Sequence, residues 1–328
     1  MSITTIIAFI KQALCLSSTL LLGSTGEIIT EKSGNLNLGT PGIMATGAIS
    51  GIVGAYFYTK SGIAFNPLVS VLLTLACGIV GSLLASLIYC FLTITLKTNQ
   101  NVTGLVLTTL GIGLSNFVGS LINSKMGGSG IAAFPEIGAA YKTPLPFAKN
   151  LGWFGEVFLS YGFMTYLAII IAVVVSVIIT KTRIGLNLRA VGENPATADA
   201  AGINVTRYKY VATCIGGVIS GLGGLYYVMD FASANWQNNI LGQFGWLAVA
   251  LVIFAVWRPN IAIFGSIAFG ALYVVGTYLP GLSTKDQKLL ELLPYLVTII
   301  ILVIMSMRNK RETQPPESLG LSYFREER

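Results

Sequence analysis

Residues 157–180 read VFLSYGFMTYLAIIIAVVVSVIIT, a stretch of 24 residues without one charged side chain. The hydrocarbon core of a bilayer is about 30 Å thick, and an α-helix needs about 20 mostly apolar residues to cross it. A helix also satisfies its backbone hydrogen bonds within one segment, which is required where no water is present. The stretch therefore predicts a transmembrane helix, and it decides the fold class.

Eight further stretches repeat this pattern along the chain. The nine predicted spans are residues 5–23, 36–59, 67–96, 102–122, 157–180, 210–229, 240–257, 261–279 and 289–307. They predict an all-α integral membrane protein of about nine transmembrane helices, within a range of eight to ten. Residues 1–310 form one transmembrane domain in this interpretation, and the polar residues 311–328 form a cytoplasmic tail that we predict to be disordered.

The composition supports a membrane protein and gives no sign of a catalytic or metal centre. Of 328 residues, 54% are hydrophobic and 10% are charged, whereas about 25% of residues are charged in a typical soluble domain. Histidine is absent, so the commonest metal ligand and the usual general base are missing. The four cysteines are scattered in apolar stretches without Cys-x-x-Cys spacing.

The basic residues predict the orientation, because positive charge in short loops marks the cytoplasmic side. Placing the loop after the fifth span and the tail inside puts every arginine and five of the twelve lysines in the cytoplasm. The eight arginines are Arg183, Arg189, Arg207, Arg258, Arg308, Arg311, Arg325 and Arg328. We therefore predict an outer N-terminus and an inner C-terminus. The net charge of +7 follows mostly from this bias, which argues against a nucleic-acid partner.

The largest predicted cytoplasmic loop, residues 181–209, contains a short helix of small residues. Asn194 suits its N-cap, Pro195 suits its first position, and Gly202 suits its C-terminal stop. Such a helix has little apolar surface to bury in its own fold, which favours docking onto another subunit. The residues predicted to make this contact are Glu193, Asn194, Pro195, Ala198, Ala201 and Gly202.

Acidic residues deep in the membrane would indicate ion coupling. By the predicted spans, Glu27, Asp230 and Glu291 all lie near span ends. This placement disfavours a self-sufficient secondary carrier or channel and favours an energy source outside the chain. No G-x-x-x-x-G-K-[ST] phosphate-binding loop is present, so ATP could drive the protein only through a partner. A membrane-embedded enzyme lacks a visible catalytic cluster.

Three segments resemble one known family. Residues 189–195, RAVGENP, with AAGIN at 200–204, resemble the cytoplasmic loop of ABC importer permeases of the ribose and branched-chain amino-acid branch. Residues 31–39, EKSGNLNLG, and 245–254, GWLAVALVIF, are similar to that branch's ERSGVLNLG and GWIALALVIFG segments. The likeness is greatest to permeases of nucleoside uptake systems that use a basic-membrane-protein-type lipoprotein.

The resemblance implies a type II ABC importer permease fold in the cell membrane. Two such permeases, often non-identical, would pair over two ABC ATPase subunits, and an extracytoplasmic lipoprotein would supply the substrate. The loop helix would be the coupling helix, and the chain itself would bind no cofactor and catalyse no reaction, since the ATPase uses ATP and Mg²⁺. The implied substrate is a nucleoside, with a simple sugar or a branched-chain amino acid as the alternative.

Uncharged polar and aromatic side chains are the candidates for a nucleoside pathway. They could meet a nucleobase by stacking and hydrogen bonding, although interfacial anchoring explains the tyrosines and tryptophan equally well. Residues 35–42 combine Asn, Gly and Pro, which is typical either of an interfacial helix start or of a broken helix lining a cavity. The pathway candidates are Asn37, Asn116, Tyr226, Tyr227, Gln243 and Trp246.

Overall fold

The computed structural model describes residues 3–126, 132–144, 152–279, 281–308 and 314–324. Within these ranges the regular structure is helical, without a strand, which confirms the all-α prediction. Two π-helical turns, Phe91–Thr95 and Tyr227–Phe231, extend the third and tenth helices. The helices are α1 (Ile3–Lys32), α2 (Thr40–Lys60), α3 (Pro67–Cys90), α4 (Gln100–Lys125), α5 (Pro135–Tyr141), α6 (Gly152–Phe158), α7 (Phe163–Lys181), α8 (Arg183–Glu193), α9 (Pro195–Ala200), α10 (Val205–Tyr226), α11 (Ile240–Phe254), α12 (Pro259–Tyr278), α13 (Thr284–Leu290) and α14 (Leu293–Arg308).

Seven helical segments of the described chain are long and apolar enough to cross a membrane. They are Thr4–Lys32, Pro67–Thr95, Gln100–Lys125, Phe163–Lys181, Val205–Phe231, Pro259–Tyr278 and Thr284–Ile304. The other two predicted spans correspond to α2 and to α11, an apolar helix of only 15 residues. The structure therefore gives a bundle with seven candidate spans, and the count of nine stays a prediction.

The first helix is longer than its predicted span, residues 5–23. α1 continues through a polar stretch to Lys32, and at about 1.5 Å per residue its 30 residues extend for roughly 45 Å. Ser24 and Thr25 do not end the helix because both side chains are fully buried in the bundle. The hydroxyl of Ser220 on α10 also donates to the Gly23 carbonyl at 3.0 Å.

The centre of the bundle is α10, which packs against α1, α2 and α3. A Cβ at Gly216 would lie 2.4 Å from the Gly26 carbonyl oxygen of α1, and one at Gly224 would lie 2.0 Å from the Met44 carbonyl oxygen of α2. Small residues allow this approach, which drives helix association in lipid. The glycines of α10 thus bring its backbone directly against those of α1 and α2.

The two ends of the bundle are built differently. At one end α8 and α9 lie beside the last turn of α1 and the first turns of α10. At the other end α5 packs against α3 and the Tyr227–Phe231 turn. There the Phe134 amide donates to the Ala234 carbonyl at 3.1 Å, and the Trp236 amide donates to the Ala132 carbonyl at 3.0 Å. These bonds tie the long loop before α7 to the loop that follows α10.

Part of the C-terminal tail packs against the bundle. Residues 314–324, here named the C-terminal strap, lie against its α8–α9 end. Ser318 is buried, and both its amide and its hydroxyl donate to the Gly192 carbonyl, at 3.1 and 2.6 Å. These hydrogen bonds use the polar groups of the strap to hold it in place, and the predicted disorder of residues 311–313 and 325–328 falls outside the described residues.

Candidate coupling face and buried carboxylates

Helix α9 is a short helix closed at both ends by its own residues. The Asn194 side chain accepts a hydrogen bond from the Thr197 amide at 3.0 Å, and Pro195 occupies the first turn. After the helix, the Gly202 amide donates to the Asp199 carbonyl and the Ile203 amide to the Ala198 carbonyl, both at 3.0 Å. This pair of bonds is a Schellman motif, and Gly202 supplies the positive φ, +83°, that it needs.

The small residues of α9 divide between two faces. Ala198 is only 3% exposed and packs with Val191 and Val205. Ala198 was predicted to contact a partner, but its side chain points into this chain, because α9 folds back onto α8 and α10. The outward residues, here named the docking face, are Ala196, Thr197, Ala200 and Ala201.

Helix α8 connects this docking face to the end of α1. A Cβ at Gly192 would lie 2.2 Å from the Lys32 carbonyl oxygen and 3.2 Å from the Gly34 amide nitrogen. Glycine is required here because any larger residue would separate the two backbones. α8 therefore packs backbone against backbone on the turn that follows α1.

The C-terminal strap joins the same assembly from outside. The Tyr323 hydroxyl donates to the Asp199 carboxylate of α9 at 2.9 Å. The Gly320 amide donates to the Gly34 carbonyl at 3.3 Å, and the Gln100 side chain donates to the Leu321 carbonyl at 3.4 Å. The strap thus contacts α9, the α1–α2 turn and the start of α4 at once.

Two buried carboxylates lie one helical turn apart near the same end of α1. Glu27 is 1% exposed and Glu31 is 4% exposed. The Glu27 carboxylate accepts hydrogen bonds from the Thr40 hydroxyl and, at 3.3 Å, from the Asn37 amide. The Glu31 carboxylate accepts one from the indole N–H of Trp257, in the turn between α11 and α12. The pair therefore fixes α1 to two other elements.

The sequence did not reveal the burial of this pair. The carboxylates do lie near the ends of their helical segments, as predicted for Glu27 and Asp230, but α1 continues past Gly23 and other elements of the bundle cover Glu27 and Glu31. A third carboxylate, Asp230 in the turn after α10, is 3% exposed, and its Oδ2 has no hydrogen-bond partner among the described residues. The absence of buried charge therefore cannot be used against a secondary carrier.

The six predicted pathway residues do not form one site. Asn37 lies in the α1–α2 turn beside Glu27. Asn116 of α4 pairs with Asn239: its amide donates to the Asn239 side chain at 2.6 Å, and its oxygen accepts from the Asn239 backbone at 3.0 Å. Asn239 has a positive φ of 64° and precedes α11, so Asn116 stabilises a helix start.

The aromatic candidates are mostly packing residues. Tyr226 is fully buried, with its hydroxyl 3.1 Å from the Thr165 hydroxyl. The Tyr227 ring lies 4.7 Å from that of Phe244. On α11, Gln243 is exposed and Trp246 is half-buried. Their participation in a pathway stays a prediction.

Comparison with known proteins identifies the family. The family described as "branched-chain amino acid transport system / permease component" matches residues 9–305, nearly the whole chain. The chain belongs to this permease family. It is therefore a multi-pass protein of the cell membrane, and the resemblance noted from the loop and helix segments is confirmed.

Three relatives match this permease along its full length. The putative glucose ABC transporter permease protein TsgC13 of Haloferax volcanii is 32% identical, over 94% of this chain and 95% of the relative. The nucleoside ABC transporter permease protein NupC of Lactococcus lactis is 30% identical over 98% of both chains. The guanosine ABC transporter permease protein NupQ of Bacillus subtilis is 32% identical over 100% of both chains. No solved structure matches the chain.

The family match, and not the position of the carboxylates, distinguishes a transporter subunit from a self-sufficient carrier. These relatives are named as permease proteins of ABC transporters and not as ATPases. The permease described here is accordingly a membrane subunit. Its similarity to ABC permeases, and not the distribution of its charged residues, disfavours a self-sufficient carrier.

Proposed function

We propose that this permease forms the membrane pathway of an ATP-driven uptake system for nucleosides. The observation that carries the proposal is the preformed helix α9, with its outward face of small residues, in a chain that matches ABC permeases from end to end. The names of two relatives, NupC and NupQ, support nucleosides as the substrate class. The name of TsgC13 keeps a simple sugar as the alternative.

In this proposal the chain crosses the membrane nine times, with its N-terminus outside. The helices α2 and α11 complete the seven candidate spans, and α11 crosses as a short helix supported by its neighbours. Four arginines lie on the α8–α9 side of the bundle: Arg183 and Arg189 in α8, Arg207 in the first turn of α10, and Arg258 just before α12. Their placement supports that side as the cytoplasmic one.

ABC ATPase subunits are the proposed partners of the docking face, and they would bind the ATP and Mg²⁺. A narrow partner surface explains why the face is built from alanine and threonine. Motion of α9 would pass through Gly192 to the turn after Lys32, and from there to Glu31 and Glu27. Because these carboxylates hold Trp257 and Thr40, the α11–α12 turn and the start of α2 would move together. This is a rigid-body mechanism of the kind that switches packed helices between two arrangements.

A second, homologous permease and an extracytoplasmic substrate-binding lipoprotein complete the proposed complex. The test is uptake into proteoliposomes that contain this permease with its ATPase, second permease and receptor. We expect ATP-dependent accumulation of radiolabelled adenosine or guanosine, with no competition by glucose. Accumulation of glucose that nucleosides do not inhibit would replace the substrate proposal, and uptake without the ATPase would overturn the importer proposal.

A further inference from the structure

We propose that a cavity beside helix α9 binds an anionic phosphate ester on the inner side of the protein. This inference rests on the orientation proposed above, but not on the substrate. The cavity has a volume of about 620 Å³, which falls within the about 300–1,000 Å³ of typical small-molecule sites. Its walls come from the α9–α10 connection, the turn after α3, the start of α4 and the C-terminal strap.

The charge around the cavity is positive. Lys97, Arg207 and Lys209 line it, against one carboxylate, Asp199, which accepts the hydrogen bond from Tyr323. The remaining lining side chains are uncharged. Three cations facing one anion in a concave site attract negatively charged ligands.

Lys209 is the residue that most requires a ligand. Its side chain is only 3% exposed, and among the described residues no hydrogen bond or ion pair satisfies its ammonium group. A largely buried ammonium group without a partner is costly. An anionic group placed in the cavity would give this ammonium its missing partner.

Asn35 lies at the same cavity and is fully buried. Its amide nitrogen donates to the Thr213 hydroxyl at 3.2 Å, which ties the segment after α1 to α10 at the wall of the cavity. A negative charge introduced at this position would therefore oppose an anionic ligand.

The cavity is separate from the proposed docking face. None of Ala196, Thr197, Ala200 and Ala201 lines it, whereas Ser322 and Tyr323 of the strap do. A bound ligand would thus join the strap to the α9–α10 connection without covering the ATPase contact. Two sources of such a phosphate ester exist on this side, a soluble nucleoside or sugar phosphate and the head group of a phospholipid such as phosphatidylglycerol.

The test measures ligand binding by the purified full-length chain in nanodiscs of phosphatidylcholine, using calorimetry. The probes are adenosine 5′-monophosphate and, as the uncharged control, adenosine. We expect the monophosphate to bind and adenosine to bind at least about tenfold more weakly, because the ammonium contact is a charge-assisted hydrogen bond. Lys209→Met should weaken binding of the monophosphate at least about tenfold. The matched control Lys181→Met, an exposed lysine outside the cavity, should leave it unchanged.

Asn35→Asp provides an independent variant should Lys209→Met not fold. It keeps the side-chain shape and adds a negative charge, so it too should weaken binding of the monophosphate. A second set of nanodiscs containing phosphatidylglycerol distinguishes the sources. Competition by this lipid that depends on Lys209 assigns the site to the head group, and unchanged affinity assigns it to the soluble ligand.

Three results would overturn the inference: no binding of either phosphate ester by wild type, wild-type binding by both variants, or equal affinity for adenosine and its monophosphate. Loss of ATPase association in Lys209→Met with unchanged binding of the monophosphate would assign the lysine to the subunit interface instead. Each of these results leaves the transport assay, and with it the importer proposal, intact.

Discussion

Tryptophan substitutions at Ala198 and Ala201 should have opposite consequences, although the two residues are three positions apart in the same loop. Ala198 is buried between Val191 and Val205, so an indole there overpacks the chain itself and should cost about 1–3 kcal/mol of stability. Ala201 is exposed at the end of α9, and substitution at such a site changes stability by no more than about 0.5 kcal/mol.

For binding of the ATPase, Ala201→Trp should have a larger effect than Ala198→Trp, which is the reverse of their effects on stability. A tryptophan at Ala201 enlarges the docking face and should weaken a tight contact by the same ~1–3 kcal/mol, which is roughly 5- to 150-fold in affinity. Thermal unfolding monitored by size-exclusion chromatography measures the first effect, and co-purification with the ATPase followed by substrate-stimulated ATP hydrolysis measures the second.

The control is Ala139→Trp, on the exposed face of α5 at the opposite end of the bundle, which should alter neither quantity. An Ala201→Trp variant that binds and stimulates the ATPase like wild type would show that the loop is only a connector. An Ala198→Trp variant as stable as wild type would contradict the inward packing of this residue.

Three further predictions concern the α8–α9 end of the bundle and its orientation. Trp257→Phe leaves Glu31 without its indole donor and should lower the free energy of unfolding by about 1–3 kcal/mol. The melting temperature should therefore fall more than in the control Trp246→Phe, and equal melting temperatures of the two variants would contradict this prediction. Tyr323→Phe removes the hydrogen bond to Asp199 and should raise deuterium exchange in the C-terminal strap and α9, and unchanged exchange would show that this bond does not hold the strap. In a cysteine-free background, a cysteine at Thr197 should resist an impermeant thiol reagent in intact cells, and its labelling there would reverse the topology. Cysteines at the outer positions should react: Lys60, Lys142 and Lys285.

Local features were predicted well because their causes lie in neighbouring residues. The spans follow from runs of apolar side chains, and both ends of α9 follow from Asn194 and Gly202. In each case the residues that cause the feature lie within it or next to it in the sequence.

Features that depend on distant partners could not be predicted in this way. The burial of Glu27 and Glu31 depends on Thr40 and Trp257, which approach only once the bundle is assembled. The polar residues after Gly23 indicated a helix end, because nothing local shows that other helices would cover them. The inward position of Ala198 likewise depends on Val191 and Val205, and its small side chain fits either face.

The C-terminal strap also has a consequence for how the protein is made. It follows α14 and leaves the ribosome after every helix, yet it contacts Gly34, near the beginning of the chain, and Gly192 in the middle. These contacts can form only after the strap has been synthesised. A chain interrupted before residue 314 would therefore enter the membrane without the hydrogen bonds that the strap makes to α8 and α9.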